Sequence, residues 1–484
     1  MAMQTRLVLL AAALAFAGCK IGPDHHAPAG ALPDHFAHTD AVATTNHAPA
    51  GLAEWWSVFN DARLSTLMRT AMSSNLDVRI AQARVLEARA QRGLSRSALW
   101  PQVNANGGYS RSRLSENTLN GQQILQAGKP LENDLFDAGF DMSWEIDVFG
   151  GARRAVEAAQ AELESSAESG RDTLVTVLAE TGISYLDLRG AQRQLAVARE
   201  NLKAQEQTLA LTKDRFQAGL ASELDTARSQ AQVAATRAQI PPLEEAQQRA
   251  MHRLAVLLGK APGELDAELV KEAAIPTATP RVPVGLPSDL LLRRPDLRRA
   301  ERQLASATAR IGVAKGEWFP KFYLTGAAGL QSIDTGDFFD GGSRFWSIGP
   351  SLRWPIFSAG RIRQNVKIQT ARQEQALLQY EKSVLTALEE VENALIAFGR
   401  EQERLRSLTE SEQASRRSVA LATDRYRGGL VSFLDVLEAE RSLLAVQDGV
   451  VQSERQLGQN LIRLYKALGG GWMPESSSYV SAVK

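Results

Sequence analysis

The sequence predicts a mixed α and β membrane protein in which short strands with one oily face are continued by very long helices. Three observations carry that prediction. The chain is written twice: slid by 210 positions it matches without a gap from Trp144/Trp354 through Gly150/Gly360, Leu178/Leu388 and Glu180/Glu390 to Gly259/Gly469. Upstream the offset becomes 219, pairing Asp77/Asp296, Ala81/Ala300, Gly93/Gly312 and Pro101/Pro320, so the first copy holds nine extra residues between Pro101 and Trp144. Four segments alternate apolar and polar residues with period two, and two proline-free stretches (131–240 and 356–473) carry a seven-residue repeat. One duplication at so long a period indicates a doubled architecture rather than a solenoid of short repeats.

The N-terminus "MAMQTRLVLLAAALAFAGCK" has one Arg and an apolar run from Leu7 to Ala17. That run suits a signal peptide (1–18) and is too short to span a bilayer. Cys19 is the only cysteine, so no disulfide forms within a chain. Its small-residue setting resembles a bacterial lipobox, with Phe16 where Leu is usual, and predicts a diacylglyceryl anchor on Cys19. Lys20 in the next position resembles lipoproteins passed on to the outer membrane. Residues 19–56 then read as a Pro-, Ala- and His-rich tether holding five of the six histidines (His25, His26, His35, His38, His47). Clustered imidazoles could bind a transition metal, but residues 20 to about 52 have no Cys or Met to join them, and a polar linker is the simpler reading.

Two copies follow, about 57–259 and 285–469, joined by a Pro-rich linker (260–287) and followed by a tail (470–484). Strands are expected at about 102–113 and 134–147 in the first copy and 321–332 and 345–356 in the second. In the clearest of them Phe136, Ala138, Phe140, Met142, Trp144 and Ile146 alternate with Asp137, Asp141, Ser143, Glu145 and Asp147. Strands of about ten residues, apolar on one face and with aromatics near their ends, match a transmembrane β-barrel; a half-buried soluble sheet has a similar pattern. Four strands close no barrel, and an open edge cannot sit in lipid because its backbone groups lack partners. The membrane reading therefore requires an oligomer. Two chains would give eight strands and a filled interior, and three would give twelve and a lumen.

The stretches 152–216 and 361–427 predict helices on the order of 100 Å long at 1.5 Å per residue. Leu174, Thr181, Leu188, Leu195, Leu202, Leu209 and Phe216 recur every seven residues, answered by Val384, Val391, Phe398, Leu405, Val419 and Tyr426 with Glu412 interrupting. That spacing is the mark of left-handed supercoiling. Returning arms at 222–258 and 433–468 are about half as long, and lead-in helices at about 62–98 and 296–316 make up the difference. Pro241 and Pro242 predict a kink in the first returning arm alone. Each long helix meets its returning arm at a polar turn, "RFQAGLASELD" (215–225) and "RYRGGLVSFLD" (425–435), in which Arg, Gly, Leu, Ser, Leu and Asp recur in place.

Balanced charge, 55 basic against 55 acidic residues, excludes a basic nucleic-acid-binding surface. No G-x-S-x-G, H-E-x-x-H, C-x-x-C or phosphate-binding glycine loop is present, so nothing suggests an enzyme. Asp334, Asp337 and Asp340 read as an exposed loop between strands.

"CKIGPDHHAP" (19–28), "LPSDLLLRRPDLRRAERQLASATARIGVAKGEWFP" (286–320), "RYRGGLVSFLDVLEAERSLL" (425–444) and "LYKALGGGW" (464–472) resemble the TolC-like outer-membrane efflux proteins (outer-membrane factors) and, within them, the OprM/NodT lipoprotein branch. The likeness covers essentially the whole mature chain. It implies a homotrimer in the Gram-negative outer membrane: a twelve-stranded β-barrel, four strands per chain, continued by a twelve-helix coiled-coil α-barrel into the periplasm, with an equatorial collar. The implied role is the passive exit duct of a tripartite system conducting small molecules such as drugs, with a periplasmic adaptor and a proton-driven inner-membrane pump as partners. A conduit for type I protein secretion is the alternative. No cofactor is implied beyond the lipid on Cys19.

The resemblance also assigns roles at the duplicated turn. Gly219, Leu220, Ser222, Gly429, Leu430 and Ser432 match adaptor-docking tips. Three chains with two hairpins each would present six of them, although a good helical hairpin alone would also want Gly and Ser there. Asp225 and Tyr426 match positions that link neighbouring helices in the closed state. Asp435 and Glu438, three apart and so on one helical face, match acidic rings at the periplasmic aperture. Like charges about 4 Å apart cost roughly 1 to 4 kcal/mol per pair, so such a ring is expected to favour cations.

Overall fold

The structure is a computed structural model that describes residues 20–28, 32–38, 52–278, 282, 284–285 and 287–472. Cys19, the signal peptide, parts of the tether and of the linker, and the end of the tail lie outside the described residues. Element order is α1 (Ala62–Ser74), α2 (Leu76–Ser97), β1 (Gln102–Arg113), α3 (Leu119–Gln126), β2 (Glu132–Ile146), α4 (Gly151–Gln217), α5 (Glu223–Leu257), α6 (Asp266–Leu269), α7 (Asp289–Arg293), α8 (Pro295–Gly316), β3 (Lys321–Ser332), β4 (Arg344–Arg353), α9 (Arg361–Arg427) and α10 (Phe433–Ala467). The chain divides into two units, each built from three stretches of sequence, and α2, α4, α8 and α9 contribute residues to both.

The first unit (1–28, 86–165, 301–379) contains the sheet. Its strands are antiparallel in the order β1-β2-β3-β4. The register carries the alternation across all four. One face joins Val103 to Met142, Phe140 to Ala328, Ala328 to Trp346 and Gly326 to Ile348, while the other joins Asn104 to Asp141, Asp141 to Ala327 and Ala327 to Ser347. The apolar face lacks cover in the single chain, with Val103, Phe140, Trp346 and Ile348 all exposed. On the polar face Asn104 Nδ2 donates to Asp141 (3.0 Å) and Lys321 pairs with Glu145 (3.2 Å). Since β1 and β4 each pair with one strand only, both edges of the sheet are open.

The duplication reaches individual bonds here. Trp144 Nε1 donates to the Leu99 carbonyl and Trp354 Nε1 to the Trp318 carbonyl, both at 3.0 Å, tying each second strand to the helix-to-strand corner of its own copy. One local expectation is corrected and one is localised. β4 stops at Arg353 rather than at 356, because the Trp354 indole turns to that corner and Pro355 has no N–H to give a ladder. The nine extra residues of the first copy fall in the connection that forms α3, capped by the Thr118 side chain on the Gly121 amide (3.1 Å).

In the second unit (29–85, 166–300, 380–484) a short 3-10 turn, Trp55–Phe59, drops Trp55, Trp56 and Phe59 into a core with Leu64, Met68, Leu178, Leu186, Leu254, Leu461 and Tyr465. Trp55 stacks on Tyr465 with ring centroids 5.9 Å apart. Tyr185 donates to Asp61 (2.7 Å), and burial with that bond pushes its phenol up to about 12. Of the seven-residue column in α4, Leu174, Thr181, Leu188 and Leu195 are buried, Leu202 and Leu209 half-buried and Phe216 exposed. The packing thus loosens toward the turn.

The lead-in of the first copy is divided at Asn75, contrary to the single helix expected over 62–98. Asn75 is extended, caps α2 by accepting from the Asp77 and Val78 amides (2.8 and 3.1 Å), and sends its Nδ2 to the Leu257 carbonyl (2.8 Å). Its counterpart in the second copy, 219 positions on, is Arg294, whose guanidinium reaches the Ala467 carbonyl (3.0 Å), 210 positions beyond Leu257. Arg294 also pairs with Asp296 and Glu390, both at 2.7 Å. One joint, made twice, is neutral in one copy and ionic in the other. Trp472 closes the end of the second copy. Its Nε1 donates to the Arg293 carbonyl (3.1 Å), and Arg171 and Arg298 lie over its ring at 4.9 and 5.3 Å. Pro241 and Pro242 lie inside α5, whose residue range is unbroken.

Candidate functional site

The two tips repeat one backbone solution. Gly219 and Gly429 have φ of +73° and +71°, the left-handed conformation that ends a helix and that L side chains adopt at a cost. Nothing lies within 4 Å of a Cβ built on Gly219, so φ rather than crowding requires glycine there. Ser222 and Ser432 then start α5 and α10. Asp225 accepts from the Ser222 amide and hydroxyl (3.2 and 2.9 Å), and Asp435 accepts from the same groups of Ser432 (2.9 and 2.7 Å). Both are acidic capping boxes, with the carboxylate at the positive end of its helix. With the polar groups satisfied, Leu220 (67% exposed) and Leu430 (78%) are the most exposed large apolar side chains of the two turns.

The tips are also fastened together. Arg215, near the end of α4, donates to the Arg427 carbonyl (2.9 Å) and lies 4.9 Å from the centre of the Tyr426 ring. Tyr426 packs edge-on against Phe433 (5.7 Å) in a small cluster with Val436 and Leu437. Within the single chain Asp225 and Tyr426 are not bonded to each other. The Asp225 carboxylate is engaged by Ser222, and the Tyr426 hydroxyl is buried without a partner.

Asp435 and Glu438 are both exposed near the start of α10. Sequence reasoning passed over Glu440, two residues further on, which is 7% exposed and accepts from the Thr208 hydroxyl (2.8 Å). Burial raises its carboxyl above the usual range, and the Thr208 bond offsets this only in part. A signal was present: Phe433, Leu437, Glu440 and Gln447 fall on one buried stripe of α10, so the acid occupies an apolar position of the pattern. Around it runs a polar layer in which Asn201 donates to Gln447 (2.7 Å) and Arg441 to Gln232 (2.7 Å). Helices joined by polar layers can separate at smaller cost than helices joined by a dry seam.

Of the tether histidines, His25 pairs with Glu301 (2.5 Å) and His38 with Glu392 (2.8 Å). Among the described residues no three His, Cys, Asp or Glu side chains gather as a metal site.

A family model described as outer membrane efflux protein matches residues 67–260 and 286–470. The toluene efflux pump outer membrane protein TtgF of Pseudomonas putida is 33% identical over 99% of this chain and 100% of its own length. The pyoverdine export outer membrane protein OpmQ of Pseudomonas aeruginosa is 32% identical over 97% of each. Among solved structures, the outer-membrane channel OprN superposes with a TM-score of 0.88 at 36% identity, covering 94% of this chain and all of that one.

Proposed function

The chain belongs to the outer membrane efflux protein family, and from that premise we propose that three copies form the exit duct of a tripartite efflux system. The observation that carries the reading is the four-stranded sheet with an apolar face, a polar face and two open edges. In a bilayer both edges must be paired, and β4 of one copy against β1 of the next does this around a closed ring. Eight strands would leave an interior filled by side chains, whereas twelve leave a passage lined by the polar face. Toluene and pyoverdine, the cargoes that the relatives' names give, share little chemistry, which suits a conduit whose selectivity lies in a pump elsewhere. Cys19 carries the lipid anchor in this reading, and the long helices continue the duct into the periplasm.

The tips dock a periplasmic adaptor through Leu220 and Leu430, with Gly219, Gly429, Ser222 and Ser432 shaping the surface. Replacing both leucines by glutamate should leave the fold intact, since exposed substitutions usually change stability by about 0.5 kcal/mol or less. Single-channel conductance in planar bilayers should be unchanged, while drug susceptibility of complemented cells should rise to that of a deletion strain. Full resistance in the double variant would remove the tips from docking.

Asp435 and Glu438 of three chains form the constricted periplasmic aperture, with Asp225 and Tyr426 governing how its helices splay. The variant Asp435→Asn with Glu438→Gln is expected to lose cation preference, read as a reversal potential moving toward zero under a salt gradient. An unaltered reversal potential would place the selective constriction elsewhere.

A further inference from the structure

We propose that residues 20–25 form a strap held in a built seat on α4 and α8, so that the segment following Cys19 is a structural part of the base of the sheet and not a passive leash. The seat centres on Arg154, in the first turn of α4, whose side chain is 1% exposed. Its Nε donates to the Ile21 carbonyl (2.8 Å), one terminal nitrogen reaches the Gly22 carbonyl (3.2 Å) and Asp24 (2.8 Å), and the other meets Glu157 (3.0 Å). Three of these four partners belong to the strap. Lys20 adds an ion pair to Glu157 (2.7 Å), and His25 a hydrogen-bonded contact to Glu301 (2.5 Å). A buried guanidinium that loses its acceptors is costly, so the strap and the seat specify each other.

Backbone packing makes the fit selective. Gly22 has φ +99° and lies so close to α8 that a Cβ on it would stand 2.5 Å from Gly312 Cα; one on Gly312 would stand 2.6 Å from the Ile21 carbonyl oxygen. The duplication supplies an internal control. Gly93, the counterpart of Gly312, has nothing within 4 Å of a built Cβ, and the counterpart of Arg154 is Gln364. Both members of the seat are therefore fitted to the strap at one of the two equivalent places only. Since β2 ends at Ile146 and α4 begins at Gly151, the strap grips the chain where the strands give way to helix. Whatever anchors the N-terminus is thereby coupled to that corner.

Lys20 offers a direct readout, because no Lys or Arg lies between it and Arg63 and Arg6 falls within the signal peptide. Trypsin cutting after Lys20 severs the anchor and is reported by the mass of the N-terminus. The full-length protein in detergent would be compared as the unaltered chain, as Gly22→Val, as Arg154→Gln, and as Cys19→Ser exported behind an ordinary cleavable leader. Cleavage of this kind follows the population of the released state, so both seat variants should be cut about tenfold faster or more. Their thermal unfolding should begin earlier, although intact mass shows the lipid still attached. Cys19→Ser should be as protected as the unaltered chain. The proposal is overturned if Gly22→Val is cut no faster than the unaltered chain, or if Cys19→Ser is released as readily as Gly22→Val, which would make the lipid the only restraint. Absence of lipid on the unaltered chain would refute the anchor while leaving this comparison valid.

Discussion

A chain carrying Ile348→Arg is expected to vanish from the outer-membrane fraction, whereas Ser347→Arg, one residue earlier, is expected to insert normally and to conduct less. Ile348 lies near the middle of β4, 64% exposed on the apolar face, and Ser347 lies on the polar face opposite Ala327. A lipid-facing Arg at the bilayer midplane costs roughly 2–4 kcal/mol per chain, or about 6–12 kcal/mol for a ring of three. That is comparable with the whole stability of many domains. A lumen-facing Arg meets water and keeps its hydration, so its effect is confined to the passage, where three added cations should depress cation current. Membrane fractionation and single-channel recording on the two variants decide the matter. Equal insertion of both would take the sheet out of lipid, and exchanged phenotypes would turn the proposed barrel inside out.

The contrast works because the sheet was legible as a pattern before it was seen as a structure. Alternation in Phe136–Ile146 and its relatives is a local property, and a strand has only two faces, so the pattern fixes which side chains share a face. The long helices were legible for a similar reason: the absence of proline and a steady seven-residue column are properties of single segments. The least legible features depend on groups far apart in the chain. Asn75 reads as an ordinary helix residue until Leu257, 182 positions away, offers it a carbonyl. Arg154 reads as one basic residue among many until the strap covers it. Asp225 shows the converse: its bond to Ser222 is local, three residues away, whereas the link that the resemblance implies reaches to Tyr426 on the other hairpin. Glu440 lay between these cases, visible as an acid on an apolar stripe but without meaning until burial and Thr208 were known.

Arg294→Ala is expected to be strongly destabilising to the second unit, and its pH dependence should distinguish it from a generic core defect. Arg294 is 7% exposed and holds the Ala467 carbonyl, Asp296 and Glu390 together. Removing one partner of a buried ionic cluster costs about 3–5 kcal/mol. Glu390 is half exposed and contributes little, so a loss near the lower end is expected. The matching truncation of Asn75, a neutral group, should cost only about 1–3 kcal/mol. Burial alone would raise the Asp296 carboxyl, but the Arg294 hydrogen bonds and charge outweigh it and hold the group below its usual range. A lowered carboxyl gives stability that is present above its ordinary value of 3.8 and is lost as pH falls through the folded value. In Arg294→Ala the burial remains while its main compensation is gone, so the acid-induced loss should shrink and the thermal midpoint should vary less between pH 3 and pH 7 than in the unaltered chain. Asn75→Ala should keep the unaltered slope. Parallel profiles for all three proteins would show that the ionic joint adds nothing that its neutral twin lacks, and would leave the difference between the two copies without energetic meaning.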